Sequence, residues 1–161
     1  KVLQNLLRER ISIRDLLTIV ETLADFAPMS KDPDLLTEYV RQRIARSMIA
    51  PYLSEGKVLQ VLTLDRQLEE ILTKNIKRTE HGTYLALDPA MAQEIVQAAA
   101  KEVEKQLAVN TQPVIMTTPV LRRHFRKLIE PSLPTVFVIS HAEIADDINL
   151  KASGKVSLKN E

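Results

Sequence analysis

Apolar residues recur at helical spacing through the first third of the chain and at strand spacing beyond it, with the period changing between residues 50 and 58. Residues 2–9 read as the end of a helix, with Val2, Leu3, Leu6 and Leu7 apolar and Arg8, Glu9 and Arg10 closing it. A second helix is predicted over 13–27. Ser12 is its N-cap, with Asp15 three places on, and Ile13, Leu16, Leu17, Val20, Leu23, Ala24 and Ala27 form its inward stripe. Pro28 ends it. Ile19 and Phe26 lie roughly sixty degrees beyond that stripe, so either a third element of the chain or a neighbouring domain or protomer covers them. On the opposite face Arg14, Thr18, Glu21 and Asp25 make a solvated ladder.

Asp32 caps a third helix over 33–49, with Pro33 in its first turn, where a missing N–H costs nothing. Leu36, Val40, Ile44 and Met48 line its inner face, beside Leu35 and Tyr39, and the helix stops where Ala50 precedes Pro51. Arg41, Arg43 and Arg46 point in different directions, which implies separate ion pairs, Glu38 with Arg41 for example, rather than one phosphate-binding stripe. Residues 51–57 are a connector turning at Gly56. It divides the chain into a helical subdomain, 1–52, and an α/β subdomain, 53–161, and Pro51 and Gly56 make it a place for a hinge.

Past the connector, VLQVLTL at 58–64 reads as a strand, followed by a helix from Asp65 with Leu68, Ile71, Leu72 and Ile76 inward. NIKRTEHGTY is a polar loop turning at Gly82, and 84–87 is a short strand. Asp88 and Pro89 repeat the cap-then-proline device and start a helix to about Leu107. PVIMT at 113–117 is a buried strand, and Thr118 and Pro119 start a helix with Leu121, Phe125, Leu128 and Ile129 inward. TVFVI at 135–139 is the clearest strand, SHAEIADDI a single helical turn, and 148–158 one or two edge strands broken near Gly154. The fold class is therefore α+β: helices first, then a small α/β unit whose roughly four-stranded sheet is packed by helices.

Composition narrows the chemistry more than it identifies it. With 4% aromatic residues and no Trp, the core must come from Leu, Ile, Val and Ala, and 22 Lys plus Arg against 21 Asp plus Glu leave no overall field for nucleic acid or acidic lipid. The absence of Cys removes disulfides, thiolate nucleophiles and Cys-based zinc sites together. No apolar run approaches the roughly 20 residues of a membrane helix. The chain opens at Lys1 with a helical pattern already under way, which reads as the C-terminal piece of a longer protein.

Three ungrouped glycines preclude the glycine-rich phosphate loops. His81, His124 and His141 have no second histidine at metal-binding spacing, and His124, three after Leu121, is read as a half-buried packing residue. Ser140, His141 and Asp146 invite a hydrolase reading, but adjacent Ser and His side chains diverge at a strand end, and no glycine elbow exposes the serine. In RRHFRK, 122–127, the basic residues are expected on a solvated helix face with Phe125 inward. A nucleic-acid module on helix 119–130 is the alternative, and its binding would fall steeply with salt.

The runs LLRERISIRDLLTIVETLADFAP and KDPDLLTEYVRQRIAR, followed in order by VLTLDRQLEEIL, LALDPAMAQEI, PVIMTTPVLRRHFRKLIE and LPTVFVISHAEI, resemble the FHIPEP family, the large export-gate proteins of flagellar and virulence type III secretion. ETLADFAP is more similar to the flagellar branch than to the injectisome branch. The resemblance implies a piece of the cytoplasmic half of a polytopic inner-membrane protein: the third, helical and the fourth, α/β, of four cytoplasmic subdomains. The membrane helices would lie outside this chain. It further implies assembly with itself into a nonameric ring, largely through the third subdomain, and docking of export chaperones with their substrates. Contact with the export ATPase apparatus is implied as well, with no catalysis and no cofactor. The family's chaperone-docking dimple lies between the first two subdomains, so none of its residues falls here. The positions that match the helical motif are Arg14, Asp15, Glu21, Asp25, Glu38, Arg41 and Arg46, which the resemblance assigns to ion pairs within and between protomers; Ile19 and Phe26 are the apolar candidates for partner contact.

Overall fold

The computed structural model describes residues 1–158. The chain starts with α1 (Val2–Arg8), α2 (Leu16–Phe26), α3 (Pro33–Arg43) and α4 (Ala45–Ile49), followed by a 3-10 turn, Ala50–Tyr52. Asp15, not Ser12, caps α2: its Oδ1 accepts the Thr18 N–H at 3.2 Å, while Ser12 Oγ takes the Arg14 N–H at 3.3 Å in the segment before. The later start accompanies a different inward face. Ile19 and Thr22 are buried, whereas Leu16, Leu17 and Val20 of the expected stripe are exposed. Thr22 suits a tight helix contact because it is small and its hydroxyl donates to the Thr18 carbonyl at 2.6 Å, so no polar group is stranded. Phe26, one turn on, stacks on Tyr39 of α3 with ring centroids 4.3 Å apart.

Asp32 caps α3 as its spacing predicts, accepting from the Asp34 N–H at 2.9 Å. The expected single helix over 33–49 breaks at Ile44 (φ −100°, ψ 12°), which turns the chain into α4. The connector turns at Gly56, whose φ of +73° lies in the left-handed region.

The second half alternates strand and helix: β1 (Val58–Leu64), α5 (Arg66–Lys74), β2 (Ile76–Thr79), β3 (Gly82–Leu85), α6 (Pro89–Ala108), β4 (Val114–Thr117), α7 (Pro119–Ile129), β5 (Phe137–Ser140), a 3-10 turn His141–Glu143, and β6 (Asn149–Val156). The main sheet runs β5-β4-β1-β6, with each neighbouring pair parallel. β2 and β3 form a separate antiparallel hairpin. Its first strand, IKRT, belongs to neither the helix nor the loop expected there, because only Ile76 in it is apolar. β6 is one strand, and the irregularity expected near Gly154 is a register shift against β1 at Val61/Leu62.

A parallel sheet needs cover on both faces, and here the two covers come from different parts of the chain. Leu59, Val61, Val114, Phe137 and Ile139 face one way and join Leu6, Ile19, Val40, Ile44 and Ile49 of the first four helices in one core. Leu62, Leu64, Ile115, Val136 and Val138 face the other way and pack with Leu68, Leu72, Ile95, Ala99, Leu121 and Phe125 of α5, α6 and α7. The helical stretch thus forms one of three layers.

Candidate functional site

At the β5 edge of the sheet five charged side chains meet inside the protein. Arg41 of α3 is fully buried, and donates from Nε to Glu143 Oε2 at 2.7 Å, from Nη1 to Glu9 Oε2 at 2.7 Å, and from Nη2 to Glu143 Oε1 at 3.1 Å. Arg122 of α7, 1% exposed, donates to Glu38 through Nε at 2.8 Å and Nη2 at 2.5 Å, and to Glu9 through Nη1 at 2.9 Å and Nη2 at 3.2 Å. Glu9, just after α1, therefore bridges the two guanidinium groups. Burial of this kind is tolerable only because the forked arginine donors and carboxylate acceptors satisfy one another.

The same two arginines close the edge of the sheet. The Val138 carbonyl, which points away from β4, accepts Arg41 Nη2 at 3.0 Å and Arg122 Nη1 at 3.1 Å. The Ser140 N–H donates to Glu143 Oε1 at 2.9 Å. Unpaired strand groups that would otherwise template another strand are thereby engaged. Phe137 carries the apolar side of this arrangement, stacked on Tyr52 at 4.4 Å with the Arg41 guanidinium 5.7 Å from its ring.

Burial pushes the Glu9 pKa up, but the Arg41 and Arg122 charges outweigh it and hold the carboxyl below its ordinary value. For Arg122, burial works against the charged form, and the hydrogen bonds and charge of Glu38, with Glu9 and Glu143 behind them, more than reverse it. Both groups stay ionised at neutral pH.

Of the residues marked from sequence, Glu38 and Arg41 belong to this cluster, but to different partners: Glu38 pairs with Arg122 rather than with Arg41. Ile19 is 1% exposed in the core, and Phe26 is half-buried against Tyr39, covered by the chain's own third helix. Arg14, Asp15, Glu21 and Asp25 are exposed along α2 and its entrance, with Asp25 3.5 Å from Arg43. Arg46 reaches Asp147 at 3.3 Å, an oxygen that also takes Lys57 at 2.7 Å.

Arg122 and Arg126 contradict the expectation of a solvated basic face, since both are buried. The signal was present in the spacing: Arg122 lies three before Phe125 and seven before Ile129, inside the apolar stripe of its helix. Glu9 and Glu143 gave no such signal, being long-range partners placed by the fold.

The serine that invited a hydrolase reading is 2% exposed, and its hydroxyl accepts the Glu143 backbone N–H in a reciprocal capping arrangement, so it has a structural task. His124 is buried with Nε2 3.3 Å from Thr83 Oγ1; burial first, then the Arg123 and Lys127 charges, lower its pKa to about 4. Among the described residues no three His, Cys, Asp or Glu side chains gather as a metal site, and no helix is long and apolar enough to cross a membrane.

Comparison with known proteins fits the arrangement. The FHIPEP family profile matches residues 1–149. The flagellar biosynthesis protein FlhA of Bacillus subtilis is 37% identical over 158 residues, which cover 98% of this chain and 23% of that protein. The Chlamydia pneumoniae CdsV protein superposes with a TM-score of 0.87 at 35% identity, covering 97% of this chain and 45% of that one, and has also been solved in complex with CdsO. The nonameric SctV-C of EPEC, determined by cryo-EM, gives a TM-score of 0.84 at 35% identity, over 96% of this chain and 46% of that one. The chain spans about a quarter of the length of the curated relatives it matches.

Proposed function

The chain belongs to the FHIPEP family, and from that membership we propose that it is the ring-forming and sheet-bearing end of the cytoplasmic part of a type III export gate. The gate sits at the cytoplasmic face of the bacterial inner membrane, held there by membrane helices elsewhere in the protein. It handles partner proteins without making or breaking bonds: export chaperones with their cargo, and the export ATPase apparatus. The fold match to a nonameric relative and to one solved with a bound partner protein supports this reading. The flagellar branch is our reading, supported by ETLADFAP and the 37% identity to FlhA; an injectisome gate is the alternative, its relatives CdsV and SctV-C being 35% identical.

One observation in this chain carries the ring assignment. α2 turns Leu16, Leu17 and Val20 outward, at 49%, 70% and 54% exposure, although they are the apolar residues its spacing would place inside. Apolar side chains grouped on one helix face are suited to burial against a second copy. In this arrangement Arg14, Asp15, Glu21 and Asp25 flank the face and set register between protomers, and Arg46 contributes from α4. Ile19, Phe26, Glu38 and Arg41 act from within, holding the helix that presents it.

The test is a Leu17→Glu, Val20→Glu double substitution in the complete cytoplasmic portion, read by sedimentation velocity and electron microscopy. Rings should be lost while the protein remains folded, with stability changed by no more than about 0.5 kcal/mol per site. Rings that persist at the same concentration overturn the assignment of this face.

A further inference from the structure

Two concavities lie side by side along α7. One is a groove of about 320 Å³ between the β2–β3 hairpin, the start of α6 and α7, floored by Leu85, Leu87, Ala92 and Leu128 and rimmed by Tyr84, which is 51% exposed. His124 lines it and remains uncharged at neutral pH, so it adds no ion to the floor. The other is a cleft of about 130 Å³ against α1 and α3, lined by six cationic side chains and four carboxylates. Lys127 lines both, and Arg123, which lines the cleft, donates to Thr83 of the groove at 2.9 Å.

The carboxylates of the cleft are largely engaged already. Glu9 and Glu38 are held by Arg122, with Arg41 also on Glu9, and Asp34 takes Lys127 and Asn5. On the cationic side Arg126 is 4% exposed; its Nη2 donates to the Pro134 carbonyl at 3.1 Å, and its buried Nη1 has no partner among the described residues. A concavity suited to an apolar anchor thus adjoins one with cationic excess.

We propose that groove and cleft form one docking surface for an acidic, amphipathic segment of a partner protein, its apolar side chains entering beside Tyr84 and Leu128 and its carboxylates lying over Lys127 and Arg8. The mode is that of a helix laid in a groove, with charge setting orientation. A strand of nucleic acid fits less well, because the groove floor of Leu85, Leu87, Ala92 and Leu128 suits apolar side chains rather than a phosphate backbone. The surface rests on the export-gate reading only in taking a protein as its partner, and it lies on α1, α3, α6, α7 and the hairpin, apart from the α2 face assigned to the ring.

The experiment is fluorescence anisotropy on the 161-residue chain with three labelled synthetic peptides of about 14 residues, long enough for a bound helix. One carries Leu and Phe on one face flanked by Glu, the second has Lys for each Glu, and the third has Ser for each apolar residue. The acidic amphipathic peptide should bind at least about tenfold more tightly than either of the others, and raising salt from roughly 50 to 300 mM should weaken it several-fold. Tyr84→Ser and Lys127→Gln, both at exposed positions, should each weaken it about fivefold without moving the melting temperature, and Arg8→Ser serves in place of either should one perturb the fold. Equal binding of the Lys peptide, no binding at millimolar concentration, or unchanged affinity in the variants overturns the proposal. So does self-association of the chain that disappears with Tyr84→Ser, which assigns the groove to a second copy. Failure here with rings intact removes this surface and leaves the ring assignment standing.

Discussion

Replacing Arg122 by Met should cost about 3–4 kcal/mol of folding stability. The substitution keeps the aliphatic stem and removes a guanidinium that makes five hydrogen bonds, two each to Glu9 and Glu38 and one to the Val138 carbonyl. Glu9 and Val138 retain Arg41, but Glu38 loses the cation that compensates it, with its side chain only 12% exposed. Deleting one member of a buried ion pair costs about 3–5 kcal/mol, and the partial access of water to Glu38 puts the expectation toward the lower end. With a urea m-value of about 2 kcal/mol/M, the midpoint should fall by roughly 1.5–2 M. Pairing the change with Glu38→Met removes the stranded charge, so the double variant should be more stable than Arg122→Met alone, with a coupling of about 2 kcal/mol in a double-mutant cycle. Arg122→Lys should sit between, because one ammonium cannot fork to two carboxylates and a carbonyl. A loss under about 1 kcal/mol in the single variant, or additivity in the cycle, would refute the claim that these charges act as a unit.

Two further outcomes are expected. His124 has a folded-state pKa of about 4 against 6.5 for the free side chain, so its stabilising contribution is complete above pH 6.5 and is lost as pH falls from 6.5 toward 4, the unfolded chain taking up the proton first. The full difference corresponds to about 3 kcal/mol and solvent relaxation should reduce it to roughly half; urea titrations at pH 7.0 and 4.5 should show the drop, and His124→Gln should flatten it, whereas an equal drop in the variant would exclude His124 as the source. A flagellar gate in which this chain replaces the corresponding segment should restore swimming to a strain lacking its own gate, while the equivalent injectisome chimaera should secrete poorly. The reverse pattern would move the chain to the other branch.

The elements were readable in sequence wherever local chemistry decides them. Asp32, Asp65 and Asp88 each cap the helix they precede, and the apolar runs at 58–64, 113–117 and 135–139 all contribute to one sheet. What failed was the sign of a face. The α2 pattern offers two overlapping apolar stripes, and which one turns inward depends on Tyr39 being there to receive Phe26, a tertiary fact. β2 was illegible for a related reason: IKRT pairs mainly through its backbone with a strand separated from it by two residues, and its side chains carry almost no strand pattern. The buried charges were half legible. Arg122 interrupts an apolar stripe at helical spacing, but Glu9 and Glu143 lie 113 and 102 residues from the arginines that hold them, separations that only the folded topology spans.

The connector at 51–57 has the composition of a hinge, with Pro51 and Gly56 in it, but the contacts across it do not belong to one. Lifting the helical layer off the sheet would uncover Leu59, Val61, Val114, Phe137 and Ile139 together with the helix side chains that meet them. At about 1.5–3 kcal/mol for each fully buried aliphatic or aromatic side chain, the sheet residues alone set a cost near 10 kcal/mol, comparable to the whole stability of an ordinary domain. The same motion would pull Arg41, Glu9 and Glu38 away from Glu143, Arg122 and the Val138 carbonyl, breaking the forked charge-assisted hydrogen bonds that join the two layers. Apolar packing by itself would tolerate some sliding of helices over the sheet. Forked hydrogen bonds to a single carbonyl of the edge strand do not, so the ion cluster sets the register in which the layer sits. The outward face of α2 and the groove on α7 are therefore held at a fixed distance and angle, so that under the proposed ring assignment a protomer would present the groove in a fixed orientation.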